Sequence, residues 1–276
     1  MVKAVCRLVR EADGVPSVGG SSGGSAYHRT RATLRVSGIT EAAMDEGAEV
    51  LDYDELDGRD VISRCAVIKS LHIARPVLET DVLITLPKMK THTLTLMTGA
   101  IKNHLGTIPG PRKAELHRRF PDLEGFGDAL LDIYASVPPH LAIMDAIECM
   151  DGDGPTGGQV RRVGLVASSA DGVALDLAMC AVCGIDYRWV PTLIAARRRG
   201  IGAASLGEIE FIGTTLDGLR SRVRPFAYPM TYRLLAHSWV PENLRRLAIQ
   251  KIGGSPMPFV LSVKCTGCGT CFQSCP

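Results

Sequence analysis

The chain has 276 residues, of which 46 % are hydrophobic, 22 % are charged and 5 % are aromatic. This length and apolar content suffice for one large α/β domain with a small appendage. The net charge of +2 and the scarcity of aromatic residues argue against a nucleic-acid-binding surface. No apolar run reaches the length of a membrane span, and the amino terminus lacks the apolar stretch of a signal peptide.

Hydrophobic periodicity predicts an α/β domain over residues 1–213. Helices are expected at 2–12, 122–136, 172–183 and 190–199, and at 29–46 with an interruption at Ser37-Gly38. Strands are expected at 15–18, 48–51, 81–86, 140–145, 163–167 and 208–212. Residues 58–75 are expected to be irregular or β, and 76–79 to form a helical turn. This alternation is typical of a doubly wound, mostly parallel sheet.

A Gly/Ser-rich loop, residues 19–25, follows the first predicted strand. Its backbone N–H groups can cradle an anion at a strand end, as in many doubly wound folds. A plain flexible linker explains the composition equally well, because no G-x-G-x-x-G pattern is present. The sequence leaves both interpretations open.

A basic segment follows the apolar strand 81–86 directly. Ligands of doubly wound folds bind outside the carboxyl ends of strands, so the segment predicts an anion-binding site. A helix beginning near Thr95 would add its dipole, and a histidine there would act as acid or base or bind a metal. The alternative is a solvated basic loop. The residues expected to hold the anion are Lys88, Lys90, Lys102, Asn103 and Lys113, and those expected to transfer protons are His92 and His117.

Acidic residues end the next predicted strand, 140–145. Asp145 is expected to orient or deprotonate a ligand, since it stands at the strand end. Asp151 and Asp153 are better explained as turn residues, with cation binding as the alternative. Cys180 and Cys183 form a C-x-x-C late in an apolar helix, so they are expected to pack in the core.

The last residues contain four cysteines at C-x2-C-x2-C-x3-C-P spacing: Cys265, Cys268, Cys271 and Cys275. This spacing is that of bacterial ferredoxins and predicts 4Fe–4S ligation over 263–276, with a disulfide knot or a zinc site as alternatives. In two-cluster ferredoxins the fourth cysteine serves the other cluster. The sequence therefore predicts a truncated ferredoxin-like module, with two clusters in the untruncated protein and an incomplete site in this chain. Proline-punctuated residues 214–262 are expected to form a connecting arm that packs across the cleft.

Several of these motifs together resemble the domain-of-unknown-function 362 family. They are Leu86–His92, Thr98–Asn103, His117, Asp145, Met150, Gly152–Pro155 and Ser169–Asp176. The resemblance covers about residues 15–213 and implies an α/β domain followed by a ferredoxin-like iron–sulfur module. It also implies that the chain is truncated at both ends.

The functional prediction is a cytoplasmic iron–sulfur redox protein that transfers electrons from 4Fe–4S clusters to an anionic small-molecule substrate or cofactor. A redox partner protein is an expected second partner, whereas nucleic acid and membrane are not expected. Two alternatives remain open at this stage. One is a non-redox isomerase or hydrolase with a structural cluster, and the other is an electron or cluster carrier without its own chemistry.

Overall fold

The computed structural model describes residues 1–23, 29–62, 66–233, 241 and 244. The strands are β1 (Ser17–Gly20), β2 (Glu49–Asp52), β3 (Gly58–Ile62), β4 (Ser70–Ala74), β5 (Ile84–Thr85), β6 (Lys88–His92), β7 (Leu96–Thr98), β8 (Leu141–Asp151) and β9 (Gln159–Ser169). The α-helices are α1 (Val2–Glu11), α2 (Thr30–Val36), α3 (Ile39–Met44), α4 (Arg75–Glu79), α5 (Ala100–Asn103), α6 (Arg112–Arg119), α7 (Leu123–Ser136), α8 (Gly172–Val182), α9 (Pro191–Arg199), α10 (Leu216–Arg220) and α11 (Met230–Arg233). This mixture of helices and strands confirms the predicted α/β class.

Strand β8 is the centre of the largest sheet. It pairs in parallel with β5 and β6 and antiparallel with β9, while β6 and β7 form an antiparallel hairpin. Ala142, Met144 and Ala146 alternate along β8 toward one face and are fully buried there. Helix α8 packs on β8 and β9, because its apolar residues cover this face. Two smaller sheets complete the fold, with β1 parallel to β2 and β3 antiparallel to β4.

Most predicted helices are confirmed, and two local predictions are wrong. The helix over 29–46 is interrupted as expected, since Gly38 has a positive φ of 72° between α2 and α3. The expected strand at 208–212 is not formed, because Ile212 is 89 % exposed and finds no core to pack against. The expected helix start near Thr95 is also wrong, because the chain there forms the β6–β7 hairpin and α5 begins at Ala100.

The first part of the predicted arm packs on the α/β domain. Val223, Phe226 and Tyr232 belong to the same hydrophobic cluster as the residues beneath the β8 sheet. The predicted cysteine module at 263–276 and most of the arm beyond Arg233 lie outside the described residues. Among the helices that are described, none has the length and apolar character needed to cross a membrane.

A buried carboxylate joins three parts of the fold. Asp132 of α7 is fully buried and accepts hydrogen bonds from the backbone N–H groups of Val67 and Ile68, both at 2.9 Å. Its other oxygen pairs with Arg199 of α9 at 2.7 Å. Asp132 therefore holds the segment before β4 and helix α9 against the same turn of α7.

Replacing Asp132 with Ala is expected to lower the free energy of unfolding by about 3–5 kcal/mol, because Arg199 and the backbone donors lose a buried partner. Urea denaturation measures this difference. Asp45→Ala is the control, because Asp45 forms an exposed ion pair with Lys3. That change should cost less than about 1 kcal/mol. Equal effects of the two substitutions would contradict the structural role of Asp132.

Candidate functional site

The turn of the β6–β7 hairpin is built around His92. Its Nδ1 accepts hydrogen bonds from the backbone N–H groups of Leu94 at 3.0 Å and Thr95 at 3.3 Å. A ring nitrogen that accepts in this way carries no proton, so the proton of the neutral ring is on Nε2. The Thr95 hydroxyl donates to the carbonyl of Met97, which closes the turn. His92 therefore presents an N–H donor while its other nitrogen holds the backbone.

The hairpin carries charged and polar side chains on one of its two faces, which we call the polar face. Met89 and Met97 point to the opposite face and are buried in the core. Lys90 stands directly opposite Thr98 in the antiparallel register, so these two side chains share the polar face with His92. The side chain of Thr98 is 8 % exposed, and its hydroxyl oxygen has no hydrogen-bond partner within the described part of the chain.

Helix α5 carries Lys102 and is held at its start by Asp176. This carboxylate is 1 % exposed and accepts from the N–H groups of Ala100 at 2.6 Å and Ile101 at 3.1 Å. A Cβ at residue 99 would lie 2.1 Å from Asp176 Oδ1, so only Gly99 permits this approach. Burial raises the pKa of Asp176 to about 7, although the two N–H donors oppose the rise. Asp176 thus holds the first turn of α5, the helix that carries Lys102.

Helix α6 contributes His117. Its imidazole stacks on the ring of Phe126 of α7 at 4.3 Å between ring centroids. Burial, and then the nearby charge of Lys102, lower the pKa of His117 to about 4. The ring is therefore neutral at pH 7 and can accept a proton.

Lys90, His92, Lys102 and His117 form one group, which we call the cationic cluster. Burial, and then Lys90, lower the pKa of Lys102 to about 8. Burial followed by Lys102, His117 and Lys90 holds the pKa of His92 well below its ordinary value. Burial and Lys88 lower the pKa of Lys90. These effects indicate that Lys102 lies near Lys90, His92 and His117, and that His92 also lies near Lys90 and His117.

The cationic cluster has no acidic counterpart within the described residues. Each of its four members has a lowered pKa, and no carboxylate acts on any of them. No ion pair or side-chain hydrogen bond joins Lys90, Lys102 or His117 to another described residue. At pH 7 the cluster therefore presents two ammonium groups and two neutral imidazoles. Perturbed groups in this arrangement are typical of functional sites.

Other residues of the predicted site have partners elsewhere. Lys88 forms an ion pair with Asp145 at 3.0 Å on the neighbouring strand. Burial raises the pKa of Asp145, but the N–H of Ile147 and the charge of Lys88 outweigh it and hold the pKa below its usual value. Asn103 donates to the hydroxyl of Thr85 at 2.9 Å. Asp145 is thus an ionised partner of Lys88.

Lys113 belongs to a separate polar group beside the Gly/Ser loop. Its ammonium donates to the hydroxyl of Ser21 and to the carbonyl of Ser22. Asp54 accepts from Ser21 and from the N–H of Gly110 at 2.7 Å. Burial lowers the pKa of Lys113 to about 8, against the opposing effect of Asp54. These contacts attach α6 to the strand end of β1, and residues 24–28 of the loop lie outside the described residues.

The first part of the arm reaches the hairpin turn. Tyr232 donates its hydroxyl to the carbonyl of Leu94 at 2.7 Å. Asp151 and Asp153 accept from the backbone N–H groups of Ala227 and Met230 at 3.2 and 2.6 Å. Both carboxylates therefore hold the described part of the arm on the α/β domain.

The remaining candidate ligands are buried thiols. Cys180 and Cys183 are fully buried in the core, as predicted, and burial raises the pKa of Cys149 to about 12. Within the described ranges, no group of three or more His, Cys, Asp or Glu side chains could hold a metal ion. The four cysteines of the carboxyl-terminal motif lie outside those ranges.

Sequence reasoning did not select Thr98 as a site residue. Thr98 enters the site only through its register with Lys90, and register is not readable from a basic segment predicted to be a loop. The sequence does contain a signal for a strand here. Charged or polar residues alternate in it with less polar ones along Lys88–His92, and this period of two is that of a half-buried strand.

The family described as "Domain of unknown function (DUF362)" matches residues 1–181. The chain belongs to this family. It is also 31 % identical over 202 residues to a thylakoid-associated protein of Synechocystis sp. (strain ATCC 27184 / PCC 6803 / Kazusa). The alignment covers 73 % of the chain but only 61 % of the length of that curated relative. No solved structure matches the chain.

The lowered pKa of Lys102 gives a direct test of the cationic cluster. Replacing Lys90 with Met should raise the pKa of Lys102 above about 8, because a neighbouring like charge disfavours the ammonium form. NMR titration of ¹³C-methylated lysines measures the pKa, and a Lys102→Arg variant assigns the resonance. Lys3→Met is the control, because Lys3 pairs with Asp45 at an exposed site. An unchanged Lys102 titration in Lys90→Met would show that the two groups are not neighbours.

Proposed function

We propose that this DUF362 protein is an iron–sulfur redox protein whose α/β domain binds an anionic small molecule on the polar face of the β6–β7 hairpin. The observation that carries the proposal is the cationic cluster without a carboxylate among the described residues. A buried positive charge is costly unless it is paired. A bound anion supplies the missing partner for Lys90 and Lys102.

Each member of the cluster has a distinct role in this proposal. Lys90 and Lys102 neutralise the anion, and His92 donates its Nε2–H to it. His117 is neutral at pH 7 and accepts a proton that the reaction releases. Asp176 acts through α5 and is a positioning residue for Lys102.

The carboxyl-terminal cysteines are the proposed ligands of the iron–sulfur cluster. Thiolates at the spacing of Cys265, Cys268, Cys271 and Cys275 are suited to a 4Fe–4S cluster, which supplies single-electron transfer when bound. The buried free thiols Cys6, Cys149, Cys180 and Cys183 support a reducing, cytoplasmic location.

A second candidate function is a non-redox isomerase. It is favoured by one observation, the neutral imidazole of His117 beside Lys102 with its pKa near 8. A base and an acid poised on either side of pH 7 can move a proton between two positions of a carboxylate substrate. In that case the iron–sulfur cluster has only a structural role, and Cys268→Ser lowers the stability of the protein without abolishing turnover.

Anaerobic purification of the protein expressed from its full-length gene tests the redox proposal. We expect iron and sulfide in the protein and an EPR signal on reduction with dithionite. The Cys268→Ser variant should lose that signal. The Lys102→Met variant should keep it, because Lys102 binds the anion and is not a ligand of the iron–sulfur cluster. A colourless, iron-free wild-type protein under strict exclusion of oxygen would end the redox proposal.

The pH dependence of anion binding tests the anion site separately from the iron–sulfur cluster. A bound anion raises the pKa of Lys102, so the complex holds more protons than the free protein. Affinity should therefore be constant below pH 8 and fall about tenfold per pH unit above it, as free Lys102 loses its proton. Lys90, His92 and His117 face the same ligand, and Lys90 extends the fall to higher pH.

Calorimetric titration with sulfate and with malonate between pH 6 and pH 10 measures this profile. Lys102→Met should bind weakly at every pH and show no transition near pH 8. Lys3→Met should behave as the wild type, because Lys3 lies in α1 and pairs with Asp45. Equal affinity of the wild type at pH 7 and pH 10 would contradict the assignment of Lys102 to the site.

A further inference from the structure

Apart from His117, the side chains assigned to the proposed ligand are hydrogen-bond donors. Lys90 and Lys102 each carry three N–H bonds, and His92 offers the Nε2–H. Thr98 stands opposite Lys90 with a buried hydroxyl that has no partner in the described part of the chain. An unpaired buried hydroxyl destabilises the fold, so a ligand that accepts from Thr98 gains a hydrogen bond that the free protein lacks.

The charge of the site limits the ligand further. Two ammonium groups are present at pH 7, and no described carboxylate acts on either. The other lysines near these strands are balanced, since Lys88 pairs with Asp145 and Lys113 lies beside Asp54. A monoanion would leave one of the two charges uncompensated, whereas a dianion matches both.

The donors also come from three elements. Lys90 on β6 and Thr98 on β7 stand opposite each other on one face of the hairpin, and Lys102 adds a donor from α5. A flat carboxylate accepts hydrogen bonds mainly in its own plane, whereas a tetrahedral group accepts them on several sides. Ammonium groups are common ligands of phosphate, where they act as point charges.

We propose that the cationic cluster takes the dianionic, tetrahedral phosphoryl group of a phosphorylated small molecule, with Thr98 as one of its donors. This inference rests on the proposed function, because it names the class of anion that the same site binds. Thr98 distinguishes the ligand from a simple counter-ion, since its hydroxyl contributes a hydrogen bond and no charge.

The test is calorimetric titration of the full, anaerobically purified chain at pH 7 and constant ionic strength. The probes are sulfate, inorganic phosphate, methyl phosphate, malonate and nitrate. We expect sulfate and the two phosphates to bind at least about tenfold more tightly than malonate or nitrate. Tighter binding of methyl phosphate than of inorganic phosphate identifies an ester as the ligand, and the reverse order identifies free phosphate.

Two substitutions at one position isolate the hydroxyl. Thr98→Val removes the donor at nearly constant volume and should weaken sulfate binding at least about tenfold, the loss expected for one hydrogen bond to a charged group. Thr98→Ser keeps the donor and should bind as the wild type. Thermal melting confirms that both variants fold, and Thr98→Ser alone tests the proposal if Thr98→Val does not fold, since a loss of binding in a folded Ser variant overturns it.

The outcomes separate the inference from the function on which it rests. If none of the anions binds the wild type, the anion site of the proposed function is wrong. If anions bind but malonate or nitrate binds as tightly as sulfate, only the phosphoryl assignment is overturned. Equal sulfate affinity of the wild type and a folded Thr98→Val variant also overturns it, because the hydroxyl then does not contact the ligand.

Discussion

Unbalanced positive charge on one face of a β-hairpin is the constraint around which the candidate site is built. The charge of Lys90 lowers the pKa of Lys102, and both lysines lower the pKa of His92. The described residues place no carboxylate beside the two lysines. By contrast, Lys88 on the same strand is exposed and nevertheless forms an ion pair with Asp145. A cluster that breaks the pairing rule is unfavourable for folding, and such exceptions are found at functional sites.

The surrounding fold maintains this unfavourable arrangement. His92 uses one ring nitrogen to hold the hairpin turn, which leaves the other as a donor. Asp176 holds the first turn of α5 and therefore the position of Lys102. Phe126 supports the ring of His117 from α7. Lys102 and His117 are thus each supported by a buried neighbour on a helix, which is how a scaffold preorganises a binding site.

The sequence predicts the class of fold and the position of the site better than its detailed geometry. Periodicity locates α7 and α8, because their apolar faces repeat at helical spacing. It also places the basic residues after a buried strand. The hairpin is missed because the segment Lys88–His92 is too polar to be recognised as a strand, and the pairing of Lys90 with Thr98 depends on register. Lys113 is predicted to belong to the site, but the structure gives it partners in the loop after β1. Neighbours that are distant in sequence are not encoded in any local pattern.

The central claim is that an anion completes the cluster, and crystallography with a heavy oxyanion tests it most directly. Crystals grown with selenate would give an anomalous difference map in which the selenium position is independent of the protein atoms. The account predicts an anomalous peak at the hairpin, where the oxygen atoms of the bound selenate lie within about 3 Å of the Nζ atoms of Lys90 and Lys102. A peak beside Lys113 and the Gly/Ser loop, with none at the hairpin, would contradict it.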